Sequence, residues 1–419
     1  MASRTFRSLR ERNARIFFLG LLVSNVGNWL QLTATATLVY RLTGRATDVG
    51  LTIATQFLPM LLLGAWAGAV ADRANRRRMT LITQSLMAAQ AALLAVLDLS
   101  GVISLSMIYV LSLAVGVVNA FDNPARRGFV TELVDPDDIP NAMALNTAVM
   151  TGSRIFGPAL AALLTTTVGT GWCFAINALS FLAILVALLA INVSELRPAT
   201  RAKRGGTPVR DALRVVRRNN RLLLVFVVLI IVSTVAFNYN VSLVRLADKR
   251  FDDEDLFGWL LAAVSVGSLF GSLYTAGRQV VSLRFFLTNT ALLGISGIAV
   301  AWAPDIAAAL LLCVPMGFGG AAFISASNAI SQQECPPEMR SRLLALIAVA
   351  FLGSTPIGAP ITGWIGDNIS AEWSLGYGSV ITLAAAIVAG VFLSRSRNVS
   401  SARAHFVGAD ASLDPVVPT

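Results

Sequence analysis

The sequence predicts an all-α membrane protein of 12 transmembrane helices in two six-helix bundles, with both termini cytoplasmic. Three observations predict it: long uncharged stretches, the placement of the basic residues, and an internal repeat. Of the 419 residues, 55% are hydrophobic and 13% are charged. That charged share is about half the usual one and excludes an ordinary soluble enzyme.

A helix needs roughly 20 apolar residues to cross a hydrocarbon core. Stretches free of Asp, Glu, Lys, Arg and His run over 16–40, 49–71, 79–97 and 99–121. Two more follow within 139–194, interrupted by Arg154 and by the turn Gly169-Thr170-Gly171. The second half repeats the count with 222–244, 256–277, 285–304, 306–333, 343–366 and 373–394. No hydrophilic leader with a cleavage site precedes the first span, so it is expected to be retained.

Basic loops stay cytoplasmic. With the N-terminus inside, 25 of the 33 basic residues fall in inner segments, among them Arg4, Arg7, Arg10, Arg12, Arg15 and the cluster Arg76, Arg77, Arg78. Outside fall Arg41, Arg45, Arg245, Lys249 and Arg250, beside the acidic run Asp252-Asp253-Glu254-Asp255. The net charge of +10 is therefore a topology signal, with anionic membrane lipid as its partner rather than nucleic acid.

Laying span 5 on span 11 at a spacing of 201 residues brings seven pairs into coincidence over 22 positions, including Pro136 with Pro337, Gly152 with Gly353, Ser153 with Ser354 and Gly157 with Gly358. A duplicated six-span unit follows. The expected organisation is an N-terminal bundle over 1–194, a cytoplasmic basic linker over 195–221, a C-terminal bundle over 222–394 and a disordered cytoplasmic tail over 395–419. Facing bundles leave a central cavity near the membrane midplane.

Three cysteines and one histidine, His405, leave little for a zinc cluster or a nucleophile–histidine pair. Both lysines, Lys203 and Lys249, lie outside any phosphate-loop pattern. No enzyme, metal or cofactor is expected. Ionisable groups inside a span are costly and mark function by default. Asp122, Arg126, Arg127, Glu132 and Arg154 are the candidates. With span 4 ending near Val134 and span 5 starting near Pro140, helical rise puts Asp122 roughly 18 Å and Arg154 roughly 21 Å from the inner boundary. An Asp122–Arg154 pair near the midplane is expected, with Asp122 as the proton-coupling carboxylate and Arg126 beside it. A structural ion pair that never titrates is the competing reading.

Asn25, Asn28 and Gln31 on span 1, Gln56 on span 2, Phe237, Asn238 and Tyr239 on span 7 and Asn328 on span 10 are expected to line the cavity, suiting an amphipathic ligand. Interhelical hydrogen bonding is the alternative use of the same polar groups. Gly64-x-x-x-Gly68 and Gly267-x-x-x-Gly271 read as packing motifs.

The loop Gly68-Ala-Val-Ala-Asp72-Arg73-Ala-Asn75-Arg76-Arg77-Arg78 resembles the signature loop of the major facilitator superfamily, with Asn75 where that family usually has Gly. Span 5 carries Gly152-Ser-Arg154-Ile-Phe-Gly157-Pro158, similar to the helix-bend motif of its antiporter branch, with Ala161-Ala162 in place of a Gly pair. Together with Asn123-Pro124-Ala125-Arg126-Arg127, these motifs resemble the exporter subfamily of enterobactin and macrolide efflux proteins. The resemblance implies a latch that joins the halves in the outward-facing state: Asp72 caps span 11, and Arg73 and Arg77 reach acids such as Glu132. It implies a monomeric secondary transporter of a bacterial inner membrane, exporting an amphipathic small molecule, drug or siderophore, in exchange for protons. A lipid flippase or a non-transporting receptor on the same fold are the alternatives.

Overall fold

Inside a bilayer every backbone polar group must be satisfied within the protein, so each long apolar run is expected to close on itself as a helix. The structure, a computed structural model, describes residues 7–197, 208–278, 280–335 and 339–410, and 12 stretches among them are helical, long and apolar enough to span a membrane. The first six are α1 (Arg12–Thr43), α2 (Ala46–Ala71), α3 (Arg76–Leu99), α4 (Leu105–Val130), α5 (Ile139–Thr167) and α6 (Thr170–Ala190). A short helix, α7 (Pro208–Arg218), precedes the second set.

Local chemistry sets the ends. α1 stops at Gly44, whose positive φ of 64° turns the chain and lets its N–H donate to Tyr40. α3 starts because Asn75 accepts the Arg78 N–H at 2.9 Å, a side-chain cap. The residue that departs from the signature loop thus acquires a use. Asn75→Ala is expected to lower stability by about 1 kcal/mol, read as a lower unfolding midpoint of the detergent-solubilised protein; an unchanged midpoint would refute the cap.

The second half differs from expectation in two spans. Span 7 is broken into α8 (Asn220–Val235) and α9 (Tyr239–Phe251), and span 11 into α13 (Arg340–Leu352) and α14 (Thr355–Asn368). Between them stand α10 (Leu256–Ala276), α11 (Leu283–Ala301) and α12 (Ile306–Gln333), and α15 (Ala371–Asp410) closes the chain. At the first break Asn238 Nδ2 donates to the freed carbonyl of Thr234 at 2.8 Å, while its own carbonyl receives Val241 and Ser242 N–H. One asparagine therefore satisfies both sides of the interruption. α15 is described to Asp410, past the last predicted span. Residues 411–419 and most of the linker's first half, 198–207, lie outside the described residues.

The duplication is visible in packing. A Cβ at Gly157 would strike Trp29 and Val26 of α1, and one at Gly358 would strike Thr234 of α8, so span 5 meets span 1 as span 11 meets span 7. Gly267 and Gly271 pack α10 on the carbonyls of Val314 and Phe318 in α12, whereas Gly64, Gly68 and Gly152 face open space.

The halves meet chiefly along two helix pairs, α2 with α14 and α5 with α10, with α9 against α1 and α2 beside them. Close approach is concentrated at the end of the bundle carrying the 252–255 run, here the acidic end. There Gly50 packs on Ala359, Gly363 on Ala46 and Gly258 on Ala162, with no room for a side chain. One hydrophobic core crosses both halves at this end, including Val39, Val49, Val244 and Ala359. A second core, around Phe17, Phe129 and Phe181, belongs to the first half alone and lies toward the opposite, basic end.

Candidate functional site

The first cavity, of about 200 Å³, lies within the first half and is lined by α1 to α4 and Met150 of α5. Its charged centre is Asp122, 1% exposed. One carboxylate oxygen accepts from Thr83 Oγ1 at 2.7 Å and Gln84 Nε2 at 2.9 Å; the other accepts from Arg126 Nε at 3.0 Å, one helical turn away on the same face. Arg126 is itself buried and reaches Asn123 Oδ1 at 3.3 Å.

The expected Asp122–Arg154 pair is not formed. α4 ends at Val130 rather than near Val134, which places Asp122 roughly 12 Å and Arg154 roughly 22 Å from the basic ends of their helices, out of level. Moreover α4 packs mainly on α2 and α3 while α5 packs mainly on α1 and α10, so α4 and α5, adjacent in sequence, touch only sparsely. It is Met150, one turn before Arg154, whose sulfur lies 3.4 Å from Arg126 Nη1.

Arg154 instead enters a second cavity of about 200 Å³ between the halves. Its guanidinium carbon sits 5.3 Å from the ring centre of Trp29 and 5.5 Å from that of Phe351. Phe237, Tyr239 and Asn328 line this cavity, with Asn240 beside them. Asn25, Asn28, Gln31 and Gln56 line the first. Two of the expected cavity residues are committed elsewhere. Gln31 donates to Gln90 at 3.0 Å and accepts from Asn177 at 2.8 Å, tying α1 to α3 and α6. Asn238 bridges the helix break and does not line the cavity.

At the basic end the ionic contacts differ from those the resemblance implied. Arg76, the first residue of α3, lies against Gly128 and pairs with Glu132 at 3.2 Å and with Asp72 at 3.7 Å. Arg77 turns the other way, donating to Leu188 O at 2.9 Å, and Arg73 stands exposed. Helix phase explains the exchange: Asn75 starts the helix, so Arg76 faces α4 and Arg77 faces α6. Burial pushes the Glu132 carboxyl above its ordinary range, with Arg76 opposing. Asp72 is 72% exposed. Its expected cap on span 11 falls at the approach to α13, where residues 336–338 lie outside the described residues. Among the described residues, every ion pair at this end stays within one half, as in Arg7–Asp138, Arg197–Asp135 and Arg221–Glu334.

The acidic end carries the cross-half contacts, none of them singled out from the sequence. Tyr40 Oη donates to Asp248, Arg245 Nη1 reaches Tyr40 Oη at 3.0 Å and Gly44 O at 3.1 Å, and Arg41 pairs with Asp255 at 2.8 Å. Asp367, at the end of α14, accepts from the Ala46 and Thr47 N–H groups at 2.9 and 2.8 Å and from Thr47 Oγ1 at 2.6 Å, capping α2 from the other half. The available signal was an Asp one residue past a span. Thr83 and Gln84 were also missed, though both are polar residues within span 3.

Twelve spans in two facing bundles, closed on one side and enclosing polar cavities, define a membrane transporter of the major facilitator type. The chain belongs to the family described as transmembrane secretion effector, whose model matches residues 3–413. It is 27% identical over 403 residues to the multidrug efflux pump Tap of Mycolicibacterium fortuitum, covering 91% of this chain and 95% of that protein. It is 24% identical over 290 residues to the staphyloferrin A transporter of Staphylococcus aureus, covering 67% and 71%. Among solved structures it resembles a bacterial homolog of the human lysosomal transporter Spinster in an inward-facing, unoccupied conformation, with TM-score 0.68 at 14% identity over 91% of this chain and 96% of that one. A POT family transporter in complex with a thioalcohol-conjugated peptide gives TM-score 0.72 at 12% identity, covering 92% and 96%. The protein is a multi-pass protein of a bacterial inner membrane and a transporter, not an enzyme.

Proposed function

We propose that the protein is a proton-coupled exporter that carries an amphipathic small molecule out of the cytoplasm by alternating access. The observation that carries this reading is the buried Asp122 network on the wall of the first-half cavity, in a state whose ionic contacts between the halves, among the described residues, lie at the acidic end. Basic residues orient the basic end toward the cytoplasm, which makes this the inward-facing state, with the exit side sealed.

In this state Asp122 accepts three hydrogen bonds, two from neutral donors and one from a guanidinium. Once the outer side opens, a proton arriving from there removes the charge that fixes Arg126 and frees that guanidinium to change partners, which biases the two conformations differently. Gln84 and Thr83 hold the carboxylate on α3, so the change is communicated between α3 and α4. The efflux named for the Mycolicibacterium relative agrees with this direction of transport. Anionic lipid at the basic face and a monomeric unit complete the reading.

The test is efflux of fluorescent amphipathic compounds from proteoliposomes with an imposed pH gradient. Wild type is expected to show gradient-driven movement, and Asp122→Asn to lose the gradient dependence while still equilibrating the compound. Normal coupling in Asp122→Asn would overturn the assignment of the coupling site.

A further inference from the structure

Arg154 is the one charged side chain among the residues lining the second cavity, and among the described residues no carboxylate or carbonyl accepts from its guanidinium. The rings of Trp29 and Phe351 attract the cation through their faces but offer no hydrogen-bond acceptor, so the guanidinium N–H groups remain available. The deep carboxylate of the same half, Asp122, is already held by Thr83, Gln84 and Arg126 and cannot turn to it. One further donor of this cavity's lining residues is buried without a partner, the hydroxyl of Tyr239. A guanidinium and a buried hydroxyl donor, both without an acceptor on the wall of one cavity, are complementary to an anion. Next to them Phe237 meets Phe351 edge-to-face at 5.1 Å and stacks on Phe323 at 6.1 Å, an aromatic wall for an apolar body.

We propose that Arg154 and Tyr239 bind the anionic head of an amphiphile, a carboxylate or phosphate, while Trp29 and Phe237 hold its apolar body. The proposal rests on the transporter reading and divides the labour within it: the proton is handled at Asp122 in the first half, and the transported anion at Arg154 between the halves. Trp29 lines both cavities and is the wall they share. Coupling would then pass through α1, whose Val26 and Trp29 lie directly under Gly157 of the helix that carries Arg154.

A matched pair of probes tests this, pyrenebutyrate and pyrenebutanol, titrated against the full chain in nanodiscs of phosphatidylcholine with empty discs as reference. Wild type is expected to bind the carboxylate roughly tenfold tighter than the alcohol. Arg154→Gln abolishes that preference, Arg154→Lys retains part of it because the charge remains without the planar fork, and Tyr239→Phe weakens the carboxylate alone. Equal binding of the two probes by wild type overturns the proposal, as does a preference that survives Arg154→Gln. If Arg154→Gln fails to fold, the other two variants decide on the same readout. Repeating the titration with phosphatidylglycerol in the discs separates the sources of the anion: a preference lost by competition assigns the site to a lipid head, and an unchanged one assigns it to a soluble amphiphile. Binding is read without a gradient, so failure of gradient-driven efflux with the preference intact refutes proton-coupled export and leaves the anion site standing.

Discussion

Asp122→Ala will lower the stability of the folded protein by about 3–5 kcal/mol, because it leaves the buried Arg126 guanidinium without its counter-charge. The side chain of Asp122 is 2% exposed and that of Arg126 6% exposed, so little solvent screening softens the loss. Thr83 and Gln84 also lose the acceptor toward which both point. Removing the pair together, as Asp122→Asn with Arg126→Gln, is expected to recover most of the stability, since no isolated charge remains in the wall. Unfolding midpoints in detergent measure both variants. Equal midpoints for Asp122→Ala and wild type would mean that water in the cavity carries Arg126 and that the pair contributes nothing to the fold.

Asp367→Ala will shift the protein toward the state open at the acidic end. That carboxylate satisfies two free N–H groups at the start of α2 and lies 3.6 Å from Arg245 Nε, so its loss removes an inter-half cap and a charge partner at once. Cap loss of about 2 kcal/mol corresponds to a roughly 30-fold change in the ratio of the two states. Thr35, buried in α1 on the wall of the first cavity, reports the change as Thr35→Cys labelled by an impermeant maleimide added at the acidic side. The native Cys173, Cys313 and Cys335 are all buried and give a low background. Labelling no faster in Asp367→Ala than in its parent would show that other contacts hold the gate.

Much of this architecture was legible because a bilayer leaves a chain few options. Twelve long apolar runs yield 12 helical spans. The breaks in spans 7 and 11 were not legible in the same way. Residues 236–238 contain neither proline nor glycine, and the interruption exists because Asn238 supplies a side-chain donor where the backbone leaves the helix. At Gly353-Ser354 a glycine is present, but the equivalent Gly152 sits inside the unbroken α5. The identities of the buried charges were readable from hydropathy, while their pairing was not: Asp122 finds Arg126 along its own helix, an i,i+4 spacing visible in the sequence, and the separation of α4 from α5 that rules out Arg154 is a fact of three-dimensional order. Arg76 was passed over for Arg73 and Arg77 because the phase of α3 depends on where Asn75 starts it.

Spans 2 and 11 run antiparallel and each is followed or closed by a carboxylate: Asp367, near the end of span 11, holds the start of α2, and Asp72 follows the end of α2 on the side where span 11 begins. If Asp72 closes on span 11 when Asp367 lets go, the number of capped helix starts is the same before and after the swing. Such an exchange is nearly isoenergetic at its endpoints and demanding only at its midpoint, where neither start is held. The arrangement therefore sets a tempo rather than a preference, and leaves the choice of side to whatever occupies the cavities.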